Sequence, residues 1–404
     1  MAVAQPPRTR PRAVRRRRAA LLAGLLLATA VLTGCESPPA GKEDKPVAAG
    51  CLPSGVAMSL AIGARANSPT PALPDLVVDL ARSAALKHRG VSVVQVDGRA
   101  DVDLKPQVFD SKAQNPNKYE KDLNRWLDGL RQWVATMRAD EPEADVLKSL
   151  DVAAAQVGPG DTVVLVDSGL QTTAPLDFRT RGMLDADPTD VVEFLRRADA
   201  LPNLSDRHVL LVGVGDTAPP QAELGVAQRR HVVEIWTAIA RAGGATCVEL
   251  RESPNGTRSD IDSPAVSVVP VAAPPAFTPC GVTVLPDDGA VGFVPDSATF
   301  RDPAAARAAL AKLAALLERG RPTVELIGTT SSAGTESGRL TLSRDRARAV
   351  ETVLRELGVP QERISSRGVG DDWPDRRPDR GPRGELLPGP AAQNRTVVVR
   401  ISCG

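Results

Sequence analysis

Histidine and cysteine are the side chains best able to do nucleophilic, acid–base or metal chemistry near neutral pH, and this chain of 404 residues holds three of the first and five of the second. His88, His208 and His231 lie far apart, with no further His or Cys at zinc-ligand spacing. Each reads as a surface or strand-end residue. No Gly-x-Ser-x-Gly, P-loop or Gly-x-Gly-x-x-Gly stands at the strand–turn–helix position its chemistry requires, and no two carboxylates single themselves out as an acid–base pair. The expectation is a chain with no catalytic residue, no metal and no cofactor.

The N-terminus carries an address instead. Seven Arg between Arg8 and Arg18 precede the apolar run Ala19–Val31 and then Leu32-Thr33-Gly34-Cys35. A basic stretch followed by an apolar one is the order of a signal peptide, and about 13 apolar residues fall short of the roughly 20 that span a bilayer. Leu-Thr-Gly-Cys resembles the bacterial lipobox, which implies that residues 1–34 are removed and that Cys35 is acylated. A thioether diacylglycerol with an N-acyl chain supplies the multiple hydrocarbon chains that stable anchoring needs. The four Arg at 15–18 are also compatible with a twin-arginine export route. Residues 35–53, polar and Pro-bearing, read as a tether.

Charge and composition exclude nucleic acid as a partner. The formal charge is +1, but from Cys35 onward 43 basic residues face 49 acidic ones, a net of −6. Duplex binders need a basic face, and aromatics at 3% leave little material for base-stacking platforms. Once the chain is exported its other four cysteines can form disulfides. Of the three possible pairings, Cys280–Cys403 brackets the C-terminal segment, and Cys51–Cys247 joins the residues just before the first strand to the last strand of the segment before it. These two are expected.

The elements that carry all this come in two sets. Over 54–253, apolar strands at Met58–Gly63, Val91–Val96, Thr162–Asp167 and His208–Gly213 alternate with helical faces such as Leu76, Leu80 and Ala84, or Leu123, Leu127, Leu130 and Val134. A further strand is expected at Asp103–Phe109, helices at about 188–198 and 222–242, and a last strand at Thr246–Leu250. Continuous apolar strands alternating with helices imply a doubly wound, mostly parallel sheet. The order resembles a von Willebrand factor A domain. Such domains often hold a divalent ion through an Asp-x-Ser-x-Ser motif, but the matching stretch here is Gly63-Ala64-Arg65-Ala66-Asn67. Only Asp167 matches an acidic position, and one carboxylate beside a cation does not make an octahedral oxygen site. Asp167 is therefore expected to cap a turn. Residues 254–282, with six Pro between Pro254 and Pro279, read as a linker.

Residues 283–404 form the second set, an α+β pattern in the order β-α-β-α-β-β. Its first strand falls in Val291–Phe300, its helices present Leu310, Leu313 and Leu317 and then Ala347, Val350 and Leu354, and its later strands are Val324–Ile327, Arg363–Arg367 and Thr396–Ile401. Gly328, Thr330, Gly334, Leu342, Ser343, Arg346 and Ala347, followed by Gly358-Val359-Pro360, Gly368-x-Gly370, Pro374 and Asn394-Arg395, resemble an OmpA-like peptidoglycan-associated domain over about 115 residues. The resemblance implies a site for the diaminopimelate of a peptidoglycan stem peptide, with a loop Asp taking the ammonium and a helix Arg the carboxylate. A zwitterion needs one fixed charge of each sign, and Arg offers a carboxylate a bidentate fork. Arg346 is present, but the Asp position is Ser331, Thr329 replaces a His and Arg339 an Asn. Losing the anion removes about 1.5–3 kcal/mol, or about 10- to 100-fold in affinity. Ser331 retains a neutral acceptor, and Glu336 lies in the same loop. The site is thus expected at Thr330, Ser331, Gly334, Leu342, Ser343, Arg346 and Arg395. Asp371–Pro390 reads as an exposed loop within which Trp373 packs locally.

Taken together, the sequence describes a non-enzymatic lipoprotein anchored to the cell membrane and facing outside the cytoplasm. The first segment is expected to hold an unidentified protein partner and the second to bind peptidoglycan weakly. The alternative is a protein–protein scaffold in which neither segment touches peptidoglycan.

Overall fold

A computed structural model describes residues 50–252, 262–271, 276–287, 289–319 and 322–403. The chain divides into two compact units, 1–46 and 47–404, and every described residue belongs to the second. Cys35 and the expected signal peptide lie outside the described residues. Among the described residues, no helix is long and apolar enough to cross a membrane.

The first lobe is a six-stranded, mostly parallel sheet. Its strands β1 (Met58–Ile62), β2 (Val91–Gln95), β3 (Val102–Gln107), β4 (Thr162–Val166), β5 (His208–Val212) and β6 (Cys247–Arg251) are ordered β3-β2-β1-β4-β5-β6. β1, β2 and β4 are buried along their whole length, as strands covered on both faces must be. Alternate residues serve opposite faces. Ala61, Val163, Leu165, Val209 and Leu211 pack with helices α3 (Val146–Ala155), α4 (Pro188–Arg197) and α5 (Val226–Ala242). Leu60, Ile62, Val164, Val166 and Leu210 pack with α1 (Asp75–Leu86) and α2 (Pro116–Thr136). The one antiparallel strand, β3, pairs with β2 at an edge and is mostly exposed. That suits a strand carrying Pro106, which cannot donate to a second neighbour. Asn115 caps α2 by accepting from the Asn117 and Lys118 amides, with Pro116 at the first helical position.

The second lobe is a four-stranded sheet of β7 (Val282–Leu285), β8 (Thr323–Gly328), β9 (Ile364–Gly368) and β10 (Val397–Ser402), ordered β7-β10-β8-β9, with only β8 and β9 parallel. Helices α6 (Pro303–Glu318) and α7 (Glu336–Glu356) pack on this sheet through Leu310, Leu313, Val350 and Leu354 against Leu326 and Val399. Two expectations change here. The first strand is Val282–Leu285, while 291–300 makes only an isolated bridge, Phe293 to Phe300, with the two rings stacked at 4.9 Å between centroids. The segment read as an exposed loop ends in a short helix, α8 (Pro388–Asn394). It was concealed by two prolines and a glycine in Pro388-Gly389-Pro390, which are poor helix formers.

Both disulfides form as expected, Cys51–Cys247 and Cys280–Cys403. Of the Pro-rich segment, residues 262–271 lie on the first lobe, while Phe277 packs on the core of the second and Val282 begins β7. The Gln221 side chain donates to Val269 O at 3.0 Å and accepts from Val269 N at 2.8 Å, and Val269 is fully buried.

Candidate functional site

Where the von Willebrand A resemblance would place a divalent ion, beside Asp167, there is a guanidinium. Arg65 and Asp167, both with fully buried side chains, form a two-point ion pair: Nη1 bonds Oδ2, and Nη2 bonds Oδ1 at 3.0 Å. Asp167 Oδ1 also accepts from the Gly169 amide at 2.6 Å, and Arg65 Nη2 reaches Ser168 Oγ at 3.2 Å. The carboxylate does close a turn, as expected, but its main partner is the arginine. Among the described residues, the one cluster of metal-ligand types is Cys51, Cys247 and Glu249, and its two sulfurs are committed to a disulfide.

In the second lobe, close backbone approach places the helix arginine. A β-carbon at Gly328 would collide with the Ser343 carbonyl, and one at Gly368 with the Arg344 amide. Glycine at both positions therefore lets α7 sit directly on the ends of β8 and β9. Ser343, completely buried, locks this contact by accepting from the Gly370 amide at 2.9 Å and donating to Leu340 O at 3.0 Å. Its role is to brace the helix, and Leu342 beside it is half-buried. One turn further on, Arg346 is 2% exposed. Its Nε donates to Ser297 O at 3.0 Å, and its guanidinium lies 5.2 Å from the Phe293 ring centroid, a cation–π distance. Its Nη1 is buried with no hydrogen-bond partner among the described residues. Burial pulls the Arg346 guanidinium below its ordinary value, against the field of Asp287.

The loop after β8 is tied down on several sides. Thr329 Oγ1 donates to Asn394 O at 2.6 Å, and Thr330 N donates to Gly370 O at 2.8 Å. Thr330 and Ser331 are each 3% exposed, and Thr330 Oγ1 is buried without a partner among the described residues. Gly334 takes φ +76°, the left-handed turn that glycine tolerates best. Its carbonyl accepts from Arg339 Nη1 at 2.7 Å while Arg339 Nε pairs with Asp371 at 2.6 Å. Glu336 is the exposed first residue of α7. Among the described residues, no hydrogen bond joins Ser331 to Arg346.

Sequence reasoning missed the carboxylate that does serve this loop. Asp379 accepts from the Ser332 amide at 2.8 Å, Asn394 Nδ2 at 3.1 Å and Arg376 Nη2 at 2.7 Å, and its side chain is fully buried. Burial opposes its ionisation, and the hydrogen bonds from Ser332 and Asn394 with the Arg376 charge outweigh it, holding the carboxyl below its ordinary value. With its oxygens so engaged, Asp379 is a brace. Apart from Arg376, three residues before it, its partners lie 47 residues before it and 15 after, so the local pattern of Asp371–Pro390 gives no sign of its role.

Arg395 ends the set. Its side chain is 13% exposed, and its Nη2 bonds Oδ2 of Asp190, a residue of α4 in the first lobe, at 2.5 Å. Three carboxylates, led by Asp190 and joined by Asp187 and Asp287, outweigh burial and hold Arg395 above its ordinary value. Asp190 is less well served. Burial pushes its carboxyl up, and repulsion from Asp187 and Asp296 adds to that, against the single cation Arg395.

Residues 292–383 match the OmpA family. The match covers less than a quarter of the chain, includes Phe293, Ser331 and Arg346, and stops short of Arg395. Among solved structures, the periplasmic domain of Helicobacter pylori MotB is 18% identical, with a TM-score of 0.26 over 32% of this chain and 80% of that one. The peptidoglycan-associated lipoprotein of Burkholderia pseudomallei is 24% identical (TM-score 0.24, 29% and 88%). The cell wall anchor of the type VI secretion system of Pseudomonas aeruginosa is 22% identical (TM-score 0.25, 30% and 81%). Likeness at this level carries no functional argument. A curated relative, the photosystem I P700 chlorophyll a apoprotein A2 of Gloeobacter violaceus, is 34% identical over 82 residues, 20% of this chain. The chain spans only 9% of that relative's length.

Proposed function

We propose that this chain is a non-enzymatic cell-envelope lipoprotein, anchored through Cys35, whose OmpA-like region holds a peptidoglycan stem peptide weakly and without a covalent bond. The observation that carries this reading is Arg346: a buried guanidinium in the Leu-Ser-x-x-Arg-Ala motif of the OmpA-matched region, whose Nη1 has no hydrogen-bond partner among the described residues. An unpaired buried donor is costly, and a carboxylate is the acceptor a guanidinium fork fits best. The first lobe reads as von Willebrand A-like. Its strand order, its lone antiparallel edge strand and its helices on both faces support this, and the buried Arg65 supplies the cation that such domains otherwise take from solution.

Co-sedimentation of the full chain with diaminopimelate-type sacculi tests the reading. The parent is expected in the pellet, with Arg346→Lys, which keeps the charge but loses the fork, weakened about 10-fold or more. Equal pelleting of the two would remove Arg346 from the site. The scaffold reading has its own supporting observation: Ser331 stands where the resemblance implies an Asp, and Thr330, Ser331 and Arg346 are all closed off from solvent. No pelleting of any form of the chain would favour it.

A further inference from the structure

The candidate site is closed partly from within its own lobe, by Phe293 and Ser297, and partly by the other lobe. The second contribution is built at the level of the backbone. Gly182, just before a one-turn 3-10 segment at Met183–Asp185, has φ +86°, and a β-carbon there would run into the Gly389 carbonyl of α8. A β-carbon at Gly389 would in turn press on the Arg181 carbonyl at 3.0 Å and on Met183 at 3.3 Å. Gln393 Nε2, also on α8, donates to that same Arg181 carbonyl at 2.6 Å. One turn of chain beyond, Asp190 reaches across to Arg395. The docking turn is held from behind by its own lobe, since His231 Nε2 hydrogen-bonds the Ala186 carbonyl at 2.7 Å. Two glycines in van der Waals contact, a side chain to backbone hydrogen bond and a charged pair make a specific seat for one segment.

We propose that the first lobe occupies the carboxylate end of the stem-peptide site, with Asp190 standing in for the ligand's carboxylate, so that this chain binds the wall only when the segment 181–190 lifts off α8 and Arg395. The inference rests on the stem-peptide reading of Arg346 and Arg395. Arg395 is close enough for its charge to act on Arg346. A ligand carboxylate entering beside Arg346 therefore competes with Asp190 for the same positive field. Asp190 is suited to be displaced, because it has one cation against the repulsion of Asp187 and Asp296. The arrangement also accounts for an arginine, Arg395, that is well formed but largely closed to solvent.

Two full-length variants open the contact by different routes. Asp190→Ala removes the competing carboxylate, and Gly182→Ala places a methyl group where the two backbones meet. Each is to be compared with the parent by titration against diaminopimelate-type sacculi, with amide exchange over 181–193 and 388–396 followed in parallel. Both variants are expected to exchange faster there and to bind about 10-fold or more tightly than the parent. Adding Arg346→Lys to either should remove the gain. Faster exchange with unchanged binding would overturn the inference while leaving the wall-binding reading intact. Unchanged exchange in both variants would show that these residues do not hold the lobes together and would also overturn it. No binding by parent or opened variants would defeat the wall-binding reading, and the inference with it.

Discussion

Removing either half of the Arg65–Asp167 pair should be among the most destabilising single changes in the first lobe. Both side chains are fully buried, so among the described residues Arg65→Ala leaves an enclosed carboxylate with the Gly169 amide as its side-chain oxygens' remaining donor, and Asp167→Ala leaves a guanidinium with Ser168 Oγ as its remaining acceptor. Breaking a buried pair from one side costs about 3–5 kcal/mol, much of it for the stranded charge. If the two effects were independent, the double variant would lose about 6–10 kcal/mol. Because it strands no charge, it should lose no more than either single variant, giving a coupling energy of about 3 kcal/mol or more. The lobe supplies its own reporter. Trp236 is fully buried, and its indole N–H donates at 2.8 Å to the carbonyl of Gly169, two residues after Asp167. Urea unfolding followed by tryptophan fluorescence on the parent, both single variants and the double variant completes the cycle. Additive losses, or a cost below about 1 kcal/mol for Arg65→Ala, would show that the pair is open to water or rearranges freely, and the account of Arg65 as a built-in cation would fail.

Asp379→Asn should loosen the loop after β8, costing about 1–3 kcal/mol through the donors it leaves unmatched, read as faster exchange of the Ser332 amide. Because the folded carboxyl lies below its ordinary value of 3.8, the stability Asp379 contributes is fully present above that pH and fades as pH falls below it. The parent and the Asn variant should therefore converge in stability in acid, and a constant difference down to pH 2 would contradict this. Reducing Cys280–Cys403 and Cys51–Cys247, which close loops with separations of 123 and 196 residues, should cost each lobe up to about 5 kcal/mol on the chain-entropy account. Calorimetry with and without reductant checks this, and an unchanged midpoint refutes it. Cys35→Ala should move the protein out of the membrane fraction, and unaltered fractionation and mass would rule out lipidation there.

Local pattern was enough to declare most of the elements, because a buried parallel strand must be apolar throughout and an amphipathic helix must repeat every three or four residues. Thr162–Val166 and the stripe of Ala347, Val350 and Leu354 show this. Cysteine placement announced both disulfides, since a bond that closes a lobe joins cysteines at its two ends. Arg346 was singled out by the resemblance of its motif to OmpA-like domains, and the glycines at 328 and 368 and the serine at 343 of that motif are the positions at which α7 presses onto the strand ends. What the pattern did not contain was every relation between residues distant along the chain. The Pro- and Gly-rich start of α8 has no periodic signal. Asp379 looks like one acid among many until its partners, at 332, 376 and 394, are brought around it. Arg65 and Asp167 are separated by 102 residues, and Asp190 and Arg395 by 205. Only folding sets these charges face to face out of water, where the low dielectric makes the pairing matter, and so only the tertiary structure decided that a guanidinium pairs with Asp167 and that Asp190 of the first lobe pairs with Arg395 of the second.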